Sequence, residues 1–253
     1  MPSSPPSLGQ RVLTGAGLGT YGWLLIAMLA TLFVGPMLSG AHWGVRLADW
    51  VAALVIIAAI VSVTSQKHHV IALSVIGLVS IVPQGLSAHS DSEWLSHMSN
   101  IGVLFFMLYV FFIIQRDIFS QRNVTVDTLV GSICGYLLLA CIFASIFASI
   151  VLIEPNSFLI TASLPGNYDP TNLDFEGSSF GLLGYYSLIT LTTVGYGDII
   201  PVTSAARGMV SAEALAGQAY LTIIVARMVG LHLVANHDTK NVNDSPKSKE
   251  QSQ

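Results

Sequence analysis

Six long apolar stretches dominate this sequence, and they restrict the chain to a membrane. A membrane-spanning helix needs about 20 mostly apolar residues. Stretches that meet or approach this length cover residues 18–38, 45–64, 69–86, 98–114, 126–153 and 204–234. Charged residues make up only 9% of the chain, whereas roughly a quarter of the residues of a soluble domain are charged. The sequence therefore predicts an all-α integral membrane protein with six transmembrane helices.

The charged and polar residues exclude several classes of protein. The formal net charge is −4 and the Lys and Arg residues form no basic run, so we expect no nucleic-acid partner. Cys134 and Cys141 lie within one apolar stretch, too far apart on a helix to form a disulfide, and we interpret them as buried small hydrophobic residues. No His-Glu-x-x-His or Cys-x-x-Cys motif occurs. The sequence predicts neither an enzyme nor a cofactor.

The segment between the last two apolar stretches differs from the rest. Residues 154–179 are polar and rich in Pro, Asn and Asp, which is typical of an exposed loop. Residues 180–191 are apolar but too short to cross a bilayer, and a glycine-rich stretch follows them. Irregular backbone at membrane depth is tolerated only where it lines a cavity or is buried in protein. The pattern predicts a re-entrant pore helix and loop.

The glycine-rich stretch has the chemistry of an ion filter. It reads Thr192-Thr193-Val194-Gly195-Tyr196-Gly197-Asp198. Rings of backbone carbonyls can replace the water shell of an ion, provided that successive carbonyls point to one side. Gly195 and Gly197 permit the positive φ that this geometry needs. Thr193 would add a hydroxyl oxygen, and Tyr196 would point away from the axis and pack behind the carbonyls.

This string resembles the signature of the tetrameric potassium channel family. The likeness covers residues 126–234 and is sharpest over 185–217. It also includes Tyr185 and Tyr186 in the short apolar helix, Pro201 shortly after the string, and Gly217 in the last apolar stretch. The resemblance implies potassium-selective conduction by a homotetramer, because one chain supplies one of the four filter strands.

The resemblance also assigns roles to individual residues. It implies potassium coordination at Thr193, Val194, Gly195 and Tyr196, with Gly197 completing the ion-coordinating string. Thr192, Asp198, Tyr185 and Tyr186 are expected to support the filter and form its outer mouth, where the charge of Asp198 would concentrate cations. Potassium is the permeant ligand, and the sequence identifies no gating ligand.

Two residues of the last apolar stretch allow more than one interpretation. Gly217 is either a gating hinge, as in many members of the family, or a site of close helix packing, since small residues are common at helix interfaces in membranes. Glu213 is an acidic residue at membrane depth and therefore a functional candidate. It could also simply bond polar groups behind the filter.

The first half of the chain lacks a recognisable voltage sensor. The fourth stretch is uncharged until Arg116, and a helix without charges gains no energy from the membrane potential. The distribution of Lys and Arg predicts cytoplasmic N- and C-termini in the plasma membrane. We expect a cytoplasmic segment over 1–17, a four-helix domain of unknown role over 18–125, a pore domain over 126–234 and a disordered cytoplasmic tail over 235–253. A non-conducting regulatory or sensor subunit that retains the pore scaffold is the alternative function.

Overall fold

Five helices and two short strands form the described part of the chain. The computed structural model describes residues 21–38, 73, 75–78, 93–121, 125–161 and 179–244. The elements, in chain order, are α1 (Gly22–Leu38), α2 (Glu93–Ser120), α3 (Val126–Ile153), β1 (Phe158–Ile160), α4 (Ser179–Leu191), β2 (Ile199–Pro201) and α5 (Ser204–Asp244).

Three segments of the described residues are long and apolar enough to cross a membrane: His97–Ser120, Val126–Ile153 and Ser204–Leu233. They correspond to the fourth, fifth and last predicted stretches. The helix α4 is apolar but too short to span. The predicted stretch at 45–64 and the N-terminal segment 1–17 lie outside the described residues. Of the stretch at 69–86, only residues 73 and 75–78 are described, and they are helical.

The helix α3 lies at the centre of the fold and contacts α1, α2, α4 and α5. It begins at a capping box, in which the Thr125 hydroxyl accepts a hydrogen bond from the amide of Thr128 and the Thr128 hydroxyl accepts one from the amide of Thr125. These bonds satisfy donors that have no partner within the helix. Asp127 in the first turn adds a favourable interaction with the helix dipole.

The helix α2 is longer than the predicted stretch at 98–114, because its polar ends continue the helix on both sides of the apolar segment.

The guanidinium group of Arg227, on α5, satisfies carbonyls at the end of α2. It donates to the carbonyl oxygens of Phe119 at 3.0 Å and Gln121 at 2.7 Å, and it lies 5.0 Å from the centre of the Phe119 ring. A cation at a helix C-terminus is electrostatically favourable, so this contact joins α2 to α5.

Two clusters of buried side chains form the core. The first joins α1, α2, α3 and the second half of the apolar part of α5, with Leu24, Val110, Leu138 and Ile224 among its members. The second joins the end of α3, both strands, α4 and the start of α5. This second cluster lies directly behind the glycine-rich segment and supports it.

The polar segment after α3 contains a strand that the sequence analysis missed. Residues 154–179 were expected to form an exposed loop, but Phe158–Ile160 pairs antiparallel with Ile199–Pro201. Phe158 and Ile199 are both buried, so their burial against α3 and α4 offsets the cost of ordering the segment. The expectation was wrong for this part of the loop, because the two strands are far apart in sequence. Residues 162–178 lie outside the described residues.

The last helix is also longer than expected, since α5 continues to Asp244. Residues 235–244 are therefore helical, and the prediction of a disordered tail is wrong for them. Extending an existing helix adds one hydrogen bond for each residue that becomes ordered, without a new nucleation cost. Residues 245–253 lie outside the described residues.

The helices α2 and α3 form an antiparallel pair within one chain. Only residues 121–125 connect them, and a short connection makes consecutive helices antiparallel neighbours. Near the other end of the pair, the side-chain amide of Asn100 donates to the carbonyl of Ser145 at 3.1 Å and the hydroxyl of Ser149 at 2.8 Å. The fourth predicted span therefore packs on the fifth span of its own chain.

This pairing predicts the outcome of a cross-linking experiment. With Asn100→Cys and Ser149→Cys in the same chain, a short thiol cross-linker should produce a band of monomer size with altered mobility on a denaturing gel. Each single variant is the control and should give no such band. Bands of dimer size or larger would instead show that α2 packs on α3 of a neighbouring chain.

Candidate functional site

The site is built around the C-terminal end of α4, where the helix passes into the glycine-rich segment. A helix leaves its last four carbonyl oxygens without partners inside the helix. Here the amides of the following segment donate hydrogen bonds to three of these carbonyls. The amide of Thr192 donates to Leu188, the amide of Thr193 donates to Thr190 at 3.0 Å, and the amides of Val194 and Gly195 both donate to Ile189, at 2.8 and 3.2 Å.

Tyr136 supplies the remaining donor. Its hydroxyl, on α3, donates to the carbonyl oxygen of Leu191 at 2.9 Å. All four terminal carbonyls of α4 are thus hydrogen-bonded, three of them by the segment that follows and one by α3. The first four amides of the segment are engaged in these bonds, so its starting point is held firmly against α4.

The backbone of the segment alternates in conformation. Gly195 has a φ of 52° and Gly197 a φ of 78°, as expected, and Thr193 also has a positive φ, of 62°. The intervening Val194 and Tyr196 do not. A positive φ is rare for a residue with a branched side chain, and such strain persists only where the surroundings enforce it. Inverting φ at every second residue turns successive carbonyls to the same side.

The carbonyls of the segment differ in their partners. Among the described residues, no donor contacts the carbonyl oxygens of Thr193, Val194, Gly195 and Tyr196. The carbonyl oxygen of Gly197, by contrast, accepts a hydrogen bond from the hydroxyl of Thr161 at 2.9 Å. The four predicted potassium-coordinating residues therefore have free carbonyls, whereas Gly197 is already engaged within the chain.

The far end of the segment is held by residues on both sides of it. The amide of Thr161 donates to the carbonyl of Asp198 at 2.8 Å. The hydroxyl of Tyr185 donates to a carboxylate oxygen of Asp198 at 2.7 Å. Desolvation, followed by this hydrogen bond and the charge of Asp198, raises the pKa of Tyr185 to about 12. The phenol therefore keeps the proton that the bond requires at physiological pH.

The two adjacent tyrosines of α4 have different surroundings. Tyr185 reaches Asp198, while Tyr186 is buried behind the segment. The ring of Tyr186 packs edge-on against Phe147 and Phe158, with ring centres 5.5 and 5.3 Å away. Edge-to-face pairs at such distances are favourable beyond their burial alone. The aromatic group joins α4 to α3 and β1.

The side chains of the segment itself are exposed in the single chain. Val194 is 51% exposed and Tyr196 is 72% exposed. Tyr196 was expected to pack behind the carbonyls, and no such packing occurs within one chain. Thr192 directs its hydroxyl back to the carbonyl of Leu188 at 2.7 Å. The segment thus has one face anchored to its own chain and another that is exposed.

Glu213 is completely buried where α5 meets α3 and α4. One of its carboxyl oxygens, Oε1, is in hydrogen-bonding contact with the hydroxyl of Ser187 on α4. The same hydroxyl lies 2.7 Å from the carbonyl oxygen of Ala140 on α3. Among the described residues, the other carboxyl oxygen, Oε2, has no partner.

Gly217 lies where α5 passes the end of α4. A Cβ atom at this position would be 2.8 Å from Cδ1 and 3.2 Å from the carbonyl oxygen of Leu191. Leu191 is itself fully buried, so it has little room to move. Close packing is therefore sufficient to explain the glycine, and the hinge interpretation stays a prediction.

The sequence analysis missed three residues that hold the site together: Tyr136, Thr161 and Ser187. Each makes its contact with a residue far away in the sequence, so hydrophobic periodicity carries no signal for it. Tyr136 and Ser187 were visible only as polar groups within apolar helices, which usually find a partner when buried. In the part of the chain that is described, no group of His, Cys, Asp and Glu residues could hold a metal ion.

Comparison with known proteins supports an ion channel domain in this part of the chain. Residues 136–231 match a family model described as "Ion channel". The matched range contains α4, the glycine-rich segment and the membrane-capable part of α5 up to residue 231, and lies inside the predicted pore domain. It covers less than half of the 253 residues. No curated protein matches the chain.

The contact between Gly217 and Leu191 predicts the effect of adding one methyl group. Gly217→Ala should lower the free energy of unfolding by about 1–3 kcal/mol, because overpacking forces α5 away from the end of α4. Gly208→Ala is a matched control on the same helix, since a Cβ atom there meets nothing within 4 Å. Unfolding of both variants in detergent tests this, and equal stabilities would contradict it.

Proposed function

We propose that this chain is one subunit of a potassium-selective channel in which four identical chains surround the pore. Residues 126–234 would form the pore domain, with α3 as the outer helix, α4 as the pore helix and α5 as the inner helix. Potassium would pass through carbonyl rings formed by Thr193, Val194, Gly195 and Tyr196, with Asp198 at the outer mouth.

The observation that carries this proposal is a difference between the amides and the carbonyls of the proposed filter backbone. Its first amides are bound to the end of α4, while the carbonyls of residues 193–196 have no donor among the described residues. The positive φ at Thr193, Gly195 and Gly197 is the pattern that directs successive carbonyls to one side. A partially dehydrated cation needs such a row of oxygens.

The orientation of α4 adds a second argument. Its C-terminal end faces the start of the filter, and the C-terminus of a helix carries a partial negative charge. Cations are therefore favoured on the axis beyond this end of the helix. The carboxylate of Asp198 places a further negative charge at the opposite end of the filter.

The surface that a single chain leaves exposed supports an assembly of several chains. Within one chain, α5 leaves most of its membrane-capable part exposed, and only 17% of an apolar 18-residue stretch of it is buried. Its exposed apolar residues include Leu215, at 73% exposure. Together with the exposed Val194 and Tyr196, they define surfaces that neighbouring subunits and lipid would cover. A C4 assembly would place four filter strands around one axis.

The described structure also bears on voltage gating. Between Trp94 and Gln115, α2 contains no Asp, Glu, Lys or Arg. A gating charge gains about 2.3 kcal/mol for each 100 mV that it crosses, so this part of the helix has no charge with which to sense the potential. We propose a channel without intrinsic voltage dependence, with both termini on the cytoplasmic side of the cell membrane.

Ion flux measured in reconstituted vesicles tests the proposal. The protein should carry potassium much faster than sodium, and Gly195→Ala should abolish most of the potassium flux or its selectivity, because alanine resists positive φ. Gly184→Ala, in α4, is the control, since its Cβ atom meets nothing within 4 Å. An assembled tetramer without any potassium flux would favour the non-conducting regulatory subunit.

Recordings in planar bilayers test the prediction on voltage. Open probability should change little over the range of a standard voltage protocol, because no charged side chain of α2 lies between residues 94 and 115. Steep activation by voltage would overturn this prediction. It would leave the prediction of potassium selectivity intact, since selectivity and gating are measured separately.

A further inference from the structure

The contacts of Ser187 contain more acceptors than its hydroxyl has hydrogens. A serine hydroxyl has one hydrogen to donate and two lone pairs to accept with. Ser187 Oγ lies within hydrogen-bonding distance of both the Ala140 carbonyl and Glu213 Oε1. A carbonyl oxygen can only accept. If Ser187 donates to Ala140, then the contact with Glu213 is a hydrogen bond only when the carboxyl group supplies the hydrogen.

We propose that Glu213 is a proton-carrying positioning residue. Its neutral carboxylic acid donates to Ser187 Oγ, and Ser187 donates in turn to the carbonyl of Ala140. The two consecutive hydrogen bonds connect α5 to α4 and α4 to α3. The three helices that meet behind the filter are therefore joined by one chain of polar contacts.

The surroundings of Glu213 support the neutral form. An ionised carboxylate has two oxygens that each accept several hydrogen bonds, yet Oε2 has no partner among the described residues. An unpaired buried charge costs several kcal/mol, whereas a neutral carbonyl oxygen without a partner costs much less. Among the described residues, the titratable groups that face Glu213 are the phenols of Tyr136 on α3 and Tyr186 on α4. No cation in the described part of the chain pairs with it.

The effect of Glu213 on the pore rests on the proposed function. The protonation of Glu213 does not depend on that function. Ionisation of Glu213 would remove the hydrogen that it donates to Ser187 Oγ. It would also place a charge between packed helices. Ser187 lies one turn before Leu191, whose carbonyl is bound by Tyr136, and α4 holds the start of the filter. Loss of the link would therefore loosen α5 from the helix that positions the filter.

Infrared spectroscopy of the purified assembly tests the proton directly. The wild-type protein at neutral pH should show the carbonyl stretch of a protonated carboxylic acid, and Glu213→Gln should lose this band. Glu154→Gln is the matched control, because Glu154 is exposed and its replacement should leave the band unchanged. Identical wild-type and Glu213→Gln spectra would overturn the proposal.

Two further measurements keep the proposal testable if Glu213→Gln does not assemble. Ser187→Ala removes the acceptor and should shift the band to higher wavenumber, and an unshifted band would contradict the predicted contact. The second measurement is thermal stability as a function of pH. The folded chain would hold a proton that the unfolded chain releases, so wild-type stability should fall as pH rises.

Glu213→Gln, where it assembles, should lack that fall, since its carboxamide donates to Ser187 without titrating. A wild-type stability that does not fall between pH 5 and pH 9, or that falls equally in Glu213→Gln, would overturn the proposal. Failure of potassium flux with the infrared band present would refute the proposed function while leaving the proton on Glu213 established. The two failures are thereby distinguishable.

Discussion

The hydrogen bonds at the C-terminal end of α4 are the constraint on which the proposed filter depends. The carbonyls of Leu188, Ile189 and Thr190 accept from the amides of the next residues, and the carbonyl of Leu191 accepts from Tyr136. This arrangement satisfies the helix end and uses up the first amides of the filter segment. It also provides surroundings that can hold Thr193 at a positive φ, which a β-branched residue would not adopt by itself.

Two helices, α3 and α5, keep α4 in place, each by a different kind of contact. The helix α3 contributes the phenol of Tyr136 and the aromatic packing of Phe147 on Tyr186. The helix α5 approaches closely at Gly217, where a larger residue would collide with Leu191. Polar contacts through Ser187 connect all three helices. The helix α5 and the glycine-rich segment thus both contact the end of α4, so a movement of α5 would displace the end of α4.

Much of the proposed site could be predicted from the sequence, because its signals are local. Gly195 and Gly197 were expected at positive φ, and they have it. The short apolar run before them predicted a helix too short for a full span, and α4 is such a helix. Thr193 at positive φ, the β1–β2 pairing and the engagement of Gly197 by Thr161 could not be predicted. The pairing and the Thr161 contact join residues that are distant in sequence and have no pattern of their own, and a β-branched residue such as Thr193 gives no signal for a positive φ.

By itself, the sequence determined the membrane setting, the bounds of α3 and the place of the proposed filter, because apolar length and glycine position act within a few residues. Only the tertiary structure decided what Glu213 and Gly217 contact, which carbonyls have no donor among the described residues, and that α2 packs on α3 of the same chain. These properties arise from groups that meet across helix interfaces. Burial there favours a partner for each polar group, and no local pattern specifies which partner it is.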